Sequence, residues 1–160
     1  MKCKHVECEA IFNQFIFENI KTISPPNELG VYTIRINKAG EPVDCILKNT
    51  KQIIEKLEWN LVTVYMEKRI NRISRIEECP YIYIGKAGGE NKHNGQKGLY
   101  FRFQKFKNNH TAMMPLWVLL YFGWDLEYGY YICNDPQNIE NELKISYKGI
   151  HGVLPALVDQ

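Results

Sequence analysis

Between residues 86 and 107 the chain carries Lys86, Lys92, Lys97, Arg102, Lys105 and Lys107 against the single acid Glu90. That is a local charge of +5 in a protein whose formal net charge is +2, so the remaining residues sum to −3. A cationic segment of this density attracts phosphate oxygens, whereas the small net charge excludes a polybasic protein that binds polyanions in bulk. Gly85, Gly88 and Gly89 open the segment and would let backbone amides approach a phosphate. Their order, GKAGG, is not the GxxxxGK followed by Ser or Thr of a nucleotide P-loop, so ATP binding is not supported. Two other stretches set a phenol beside a glycine, Gly30-Val31-Tyr32 and Tyr83-Ile84-Gly85, and a later acidic stretch offers Glu140 and Glu142 as hard oxygen donors. Taken singly, each has an ordinary explanation: a tyrosine in a strand is a packing residue, and a basic helix face is solvated. Cys3, His5 and Cys8 have metal-ligand chemistry, but no second CxxC or HxxxH completes a zinc set at a usual spacing, so they read as incidental side chains of an N-terminal segment.

The elements that must position these groups follow from hydrophobic period. A chain of 160 residues, 45% apolar, 24% charged and 12% aromatic, forms one domain with a real core. Residues 1–29 read as an N-terminal helix and linker, with the helix over 5–21 on Val6, Ala10, Phe12, Phe15, Ile16 and Ile20. Gly30 to Asn37 alternates as a strand, and Lys38 to Pro42 turns into a second short strand, Val43 to Leu47, making a hairpin. A helix over 50–57, a strand over 61–65 and a basic polar stretch over 68–75 follow. Tyr81 to Gly85 is a strand, and Lys86 to Gly98 a loop. Leu99, Phe103 and Phe106 then make the apolar stripe of a helix whose other faces carry Arg102, Lys105 and Lys107. Pro115 to Trp124 is apolar for ten residues, far short of the roughly 20 that span a bilayer. Leu126 to Ile132 is a strand, and Asp135-Pro136 caps a helix running through Tyr147 to Gly149. Period-2 alternation puts Tyr32 on a face with Ile34 and Ile36, and Tyr83 on a face with Tyr81 and Gly85. The expected fold is α+β, a small antiparallel or mixed sheet flanked by helices. Five scattered cysteines and no signal-like apolar stretch lead to the expectation of a reduced, cytoplasmic setting with no membrane partner.

In this order the chain resembles the GIY-YIG nuclease family. The resemblance rests on GVY (30–32), YIGKAG (83–88), the Leu-x-x-Arg helix at Leu99 to Arg102 and the Glu-x-x-Leu helix at Glu140 to Leu143. His110 to Trp117 and Gly149 to Pro155 look like further elements of a subgroup, so the resemblance covers Gly30 to Pro155. It implies a metal-dependent endonuclease that hydrolyses DNA phosphodiester bonds, of a restriction or repair type, with double-stranded DNA as partner and a homodimer as one way to cut both strands. Carried over, Tyr32 would be the general base or water-orienting group, and Tyr83 would position the phosphate beside it. Arg102 would neutralise transition-state charge, and Lys86 or the metal would depress the pKa of the phenol. Glu140 would hold one Mg²⁺ or Mn²⁺. Lys86, Lys92, Lys97, Lys105 and Lys107 would contact nucleic acid. Helix geometry chooses Glu140 over Glu142. With Ile139, Leu143 and Tyr147 marking the buried stripe, Glu140 lies about 60° from its centre and Glu142 about 100° at ~100° per residue.

Three features depart from the family pattern. The two tripeptides are separated by an insertion at about 38–80, Phe106 stands where restriction-type relatives carry His or Tyr, and Val158 stands where the family ends with Asn. These departures leave an alternative, a catalytically degenerate module that binds nucleic acid or a protein without cleaving. A structural or small-ligand domain accounts for each tyrosine as packing but not for the ordered set.

Overall fold

The structure, a computed structural model, describes residues 2–56, 64, 67–88, 97–109 and 113–158. The elements in order are α1 (Val6–Ile11), β1 (Ile16–Asn19), β2 (Gly30–Lys38), α2 (Val43–Glu55), a 3₁₀ helix (Asn71–Glu78), β3 (Tyr81–Ala87), α3 (Gly98–Asn109), α4 (Met113–Tyr121), β4 (Asp125–Ile132) and α5 (Pro136–His151). The four strands form one sheet in the order β1-β4-β2-β3, with every neighbouring pair antiparallel. This is the expected α+β architecture, a central antiparallel sheet flanked by helices.

Helices cover both faces of the sheet, so β2 and β3 bury side chains on both sides and read as apolar runs. One core gathers Tyr32, Ile34, Ile36, Ile82 and Tyr83 with Ile46 of α2, Ile73, Phe103 of α3 and Leu116 of α4. The other gathers Val31, Tyr81 and Ile84 with Cys8 of α1, Phe12 just after that helix, and Leu143 and Tyr147 of α5. The sheet therefore separates α3 from α5.

Several sequence expectations change. The N-terminal helix stops at Ile11, and Ile16–Asn19 pairs with β4 as a strand. Phe15 is buried, Ile16 exposed and Phe17 half-buried, a period of two that an edge of β4 can satisfy and a helix cannot. Val43 to Leu47 is not a hairpin strand but the opening of α2, where the Ile46 N–H donates to the Pro42 carbonyl at 3.1 Å. Val43, Ile46 and Thr50, at i, i+3 and i+7, are buried, so helical period wins over β-branching. The helix expected over 50–57 is the second half of α2 as far as Glu55.

The strand expected over 61–65 lies outside the described residues apart from Val64, which is exposed and helical. The basic stretch over 68–75 enters the 3₁₀ helix. There Ile70, Ile73 and Ile76 recur every third residue and are all buried, matching three residues per turn. The described parts of the 38–80 insertion thus complete the sheet's core instead of standing apart from it. Lys86 and Ala87 belong to β3 and not to a loop. α5 runs past Gly149 to His151 and ends at Gly152, whose φ of 73° is left-handed and whose N–H donates to the Lys148 carbonyl at 2.8 Å.

Tyr81 also leaves the face assigned to it. A register shift between Ile34 and Arg35 breaks the pleat, so Tyr81 faces the α1/α5 core while Tyr83 faces α3. No helix among the described residues is long and apolar enough to cross a membrane.

Candidate active site

Strand pairing brings the two tripeptides together. β2 and β3 align Tyr32 with Gly85 and Ile34 with Tyr83, so the phenols of Tyr32 and Tyr83 are diagonal neighbours on one face. Their rings stack at 5.7 Å between centroids. Gly85 is required by this arrangement, because a Cβ there would lie 2.7 Å from both Cζ and OH of Tyr32 and 2.8 Å from Cε1 of Tyr83. On the other side of β2 the alignment of Ile34 with Tyr128 repeats the diagonal, and Tyr128 stacks on Tyr32 at 5.2 Å. Three tyrosines from three strands therefore form one stack centred on Tyr32. The third was not evident in sequence. Tyr128 lies in an alternating strand rich in tyrosine, but nothing short of strand register tells it from Tyr130 or Tyr131.

α3 brings the cation. Its start is fixed by the preceding loop: the Leu99 N–H donates to the Glu28 carbonyl at 2.7 Å, the Tyr100 N–H to the Pro26 carbonyl at 3.0 Å, and the Lys97 N–H to Asn27 Oδ1 at 2.6 Å. These bonds satisfy donors that a helix end leaves unpaired. Gly98 has φ of 57°, and a Cβ there would collide with the Glu28 backbone. With Leu99 and Phe103 anchored in the core, Arg102 points its Nε at the Tyr32 hydroxyl, 3.3 Å away. Arg102 is half-buried.

α5 brings the carboxylate. Asp135 accepts from the Asn138 N–H at 3.2 Å and Pro136 follows it, the expected cap. Leu143 and Tyr147 face the core, which leaves Glu140 8% exposed and Glu142 on the solvent side. Glu140 Oε1 accepts from Lys144 Nζ at 2.9 Å, and Glu140 Oε2 is 3.9 Å from Lys86 Nζ. The Lys86 ammonium also donates to the Gln137 side-chain oxygen. Lys86 thus attaches to the α5 carboxylate and amide, and not to the Tyr32 phenol it was expected to depress.

Electrostatics link these groups. Burial pushes the Tyr32 phenol above its ordinary pKa, the Arg102 guanidinium opposes the rise, and the Glu140 carboxylate adds to it. Burial also raises Tyr83, together with Tyr32 and Glu140, against Arg102. Tyr32 is fully buried and Tyr83 9% exposed. In this arrangement Tyr32 is a neutral acceptor for Arg102, and the phenol nearer to solvent is Tyr83. Without a further cation at the site, neither phenol is a base near neutral pH.

A cleft of about 470 Å³ opens between α3 and the start of α5, lined by Lys86, Arg102, Lys105, Asp135 and Gln137 among others. Three cations face one carboxylate there. Tyr32, Tyr83 and Glu140 are not among the described residues that line it. Lys105 is exposed, its Nζ 4.5 Å from the Phe101 ring centroid, and Lys97 is exposed at the start of α3. Lys92 lies outside the described residues, as do the side chains of Phe106 and Lys107 and residues 110–112 of the resemblance.

No protein-family model, curated protein or solved structure matches the chain. The reading of the site therefore stands on its chemistry. As a place for a hard divalent cation, Glu140 offers one buried carboxylate, whose two oxygens face Lys144 and Lys86. Mg²⁺ and Mn²⁺ take one or two protein carboxylates and complete their shell with water and phosphate oxygens, so such a cation here would have to displace the lysines from Glu140. Lys144 is the competitor that sequence reasoning missed, although its i, i+4 spacing from Glu140 announces the pair. Val158, in the position where the resembling family has Asn, is buried in the core on the α3 side of the sheet, and its N–H donates to the Pro155 carbonyl at 3.0 Å.

Proposed function

We propose that the protein is a metal-dependent endonuclease that hydrolyses phosphodiester bonds in DNA. The observation that carries this reading is the Arg102–Tyr32 hydrogen bond at 3.3 Å, with Tyr83 stacked on Tyr32 and Arg102 lining a cationic cleft. A half-buried guanidinium held by a neutral hydroxyl is preorganised. Desolvation acts to lower its pKa and the neighbouring phenols to raise it, with the net direction upward, so it stays charged.

A scissile phosphate in the cleft would meet Arg102 first. Lys86 and Lys105 would neutralise flanking backbone phosphates, with Lys92, Lys97 and Lys107 extending the contact along the strand. Tyr83 would orient the attacking water, and Tyr32 would hold Arg102 in register. Mg²⁺ or Mn²⁺ on Glu140 would supply Lewis-acid stabilisation of phosphoryl charge and a lowered pKa for nearby acids. One site of this kind cuts one strand, so a double-strand break would take a homodimer or two successive nicks.

The test is conversion of supercoiled plasmid to nicked circle by purified protein with Mg²⁺ or Mn²⁺. Arg102→Ala and Glu140→Ala are each expected to lose at least about 10²-fold in rate. Equal nicking by wild type and both variants would defeat the reading. Binding without nicking would support a second reading, a nucleic-acid-binding module, which the doubly lysine-paired Glu140 and the apolar Val158 favour.

A further inference from the structure

The α1/α5 side of the sheet holds a second cluster of chemically capable side chains, distant from the cleft. Cys3 precedes α1, Cys8 lies within it, Cys79 links the 3₁₀ helix to β3, and His151 is the last residue of α5. Their ligand atoms all lie within 4.8 Å of one another, although Cys3 and His151 are 148 residues apart in sequence. Cys8 Sγ is 3.7 Å from Cys79 Sγ, and Cys3 Sγ is 3.8 Å from His151 Nε2. All five cysteines of the chain are free, and 3.7 Å is far beyond the roughly 2.05 Å of a disulfide.

These separations have a simple geometric meaning. A tetrahedral ion with metal–sulfur distances of about 2.3 Å separates its sulfur ligands by about 3.8 Å, and with a metal–nitrogen distance of about 2.05 Å it separates sulfur from nitrogen by about 3.6 Å. Both observed edges are close to those of such a tetrahedron. Three thiols and one imidazole make a soft, closed donor set without a carboxylate, which is the chemistry of structural zinc and not of Mg²⁺. The support around it is ordered. Glu9 accepts the Cys3 N–H at 2.8 Å through Oε1 and the Tyr81 hydroxyl at 2.7 Å through Oε2, and the Tyr147 ring packs on the His151 ring at 4.3 Å between centroids. Cys8 and Cys79 are buried, while Cys3 and His151 are half-buried, which leaves an entry side for an ion.

We propose that Cys3, Cys8, Cys79 and His151 bind one structural Zn²⁺. The ion ties the N-terminal segment, the entry to β3 and the end of α5 to one point. α5 also carries Glu140, eleven residues before His151 and so roughly 16 Å up the helix axis at ~1.5 Å per residue. The zinc would therefore fix the helix that presents Glu140 without taking part in the cleft's chemistry.

The experiment uses the full chain, purified under reducing conditions with Zn²⁺ present and then freed of loose metal. Elemental analysis should find about one zinc per chain. Replacement by Co²⁺ should give a sulfur-to-cobalt charge-transfer band and the intense visible bands of tetrahedral geometry. Cys3→Ser and His151→Ala change half-buried positions at the ends of elements, so circular dichroism can establish that they fold. Each should weaken zinc binding at least about tenfold. Cys45→Ser, at an exposed cysteine outside the cluster, should retain the metal, and so should Glu140→Ala, which separates this site from the cleft. A folded, reduced chain that takes up no zinc, a six-coordinate Co²⁺ spectrum, or undiminished binding by both cluster variants would overturn the proposal.

Discussion

Gly85→Ala tests whether the tripeptides are coupled as the strand register implies. The added Cβ would sit 2.7 Å from Tyr32 Cζ and OH and 2.8 Å from Tyr83 Cε1, against the ~3.5–4.0 Å of relaxed carbon contacts, so an atom must yield by nearly 1 Å. Tyr32 has little room to give, because Tyr128 lies 5.2 Å behind its ring and Tyr83 5.7 Å in front. The strain falls on β3, an edge strand, and on the hydroxyl that accepts from Arg102. Overpacking of this kind costs about 1–3 kcal/mol. For a chain of this size that lowers the midpoint of thermal unfolding by roughly 2–12 °C. Gly88→Ala is the control, since a Cβ there meets nothing within 4 Å and its φ is not positive. It should change stability by no more than about 0.5 kcal/mol. Urea denaturation of the three proteins gives the stabilities, and plasmid nicking reports the site. Gly85→Ala within about 0.5 kcal/mol of wild type would refute the packing argument, and unchanged nicking would refute the link from Gly85 through Tyr32 to Arg102.

Arg102→Lys keeps the charge but loses the Nε donor to Tyr32. Its nicking rate should fall at least about tenfold while its urea midpoint stays near wild type, so equal loss of both would make Arg102 structural. Tyr32→Phe leaves the ring stack and removes the acceptor, for about 0.5–1.5 kcal/mol of stability, and should slow nicking; a fully active variant would dismiss the hydroxyl. Lys144→Met frees Glu140 from its 2.9 Å partner and should tighten Mn²⁺ binding measured by calorimetry; weaker binding would argue against Glu140 as ligand. Burial raises the Tyr32 and Tyr83 phenols, so their folded pKa values exceed the unfolded value near 10. The unfolded chain then releases these protons first. The neutral phenols' contribution to stability is complete below about pH 10 and is lost as pH rises toward the folded values, which ultraviolet phenolate absorbance and denaturation midpoints can follow together. Stripping zinc with a chelator should lower the unfolding temperature, as a ligand at a hundred times its Kd contributes about 2.7 kcal/mol.

How far the sequence reaches is visible in particular residues. Composition and period alone led to one α+β domain, to β2 and β3 from their alternating β-branched and aromatic residues, and to α5 from its Asp135-Pro136 cap and apolar stripe. That Glu140 lies nearer the apolar stripe than Glu142 needed only the angle per residue of a helix, and the structure buries Glu140. These are local properties, fixed by backbone sterics and by which side of one element is apolar. Ile16–Asn19 and Val43 to Leu47 form the other element from the one their sequence suggests, because short apolar stretches satisfy helix and strand periods equally, and the available partner surface decides between them. Tyr81 changed face through a bulge no spacing reveals. The distances at issue were decided only by tertiary structure. The place of Tyr128 in the stack depends on the register of β4 against β2. The pairing of Lys86 with α5 instead of Tyr32 depends on how that helix meets the edge of β3. The union of Cys3 and Cys8 with Cys79 and His151 depends on both ends of the chain packing over one face of the sheet. Each is a contact between residues far apart in sequence, and its energy resides in a geometry that exists only once the chain has closed on itself.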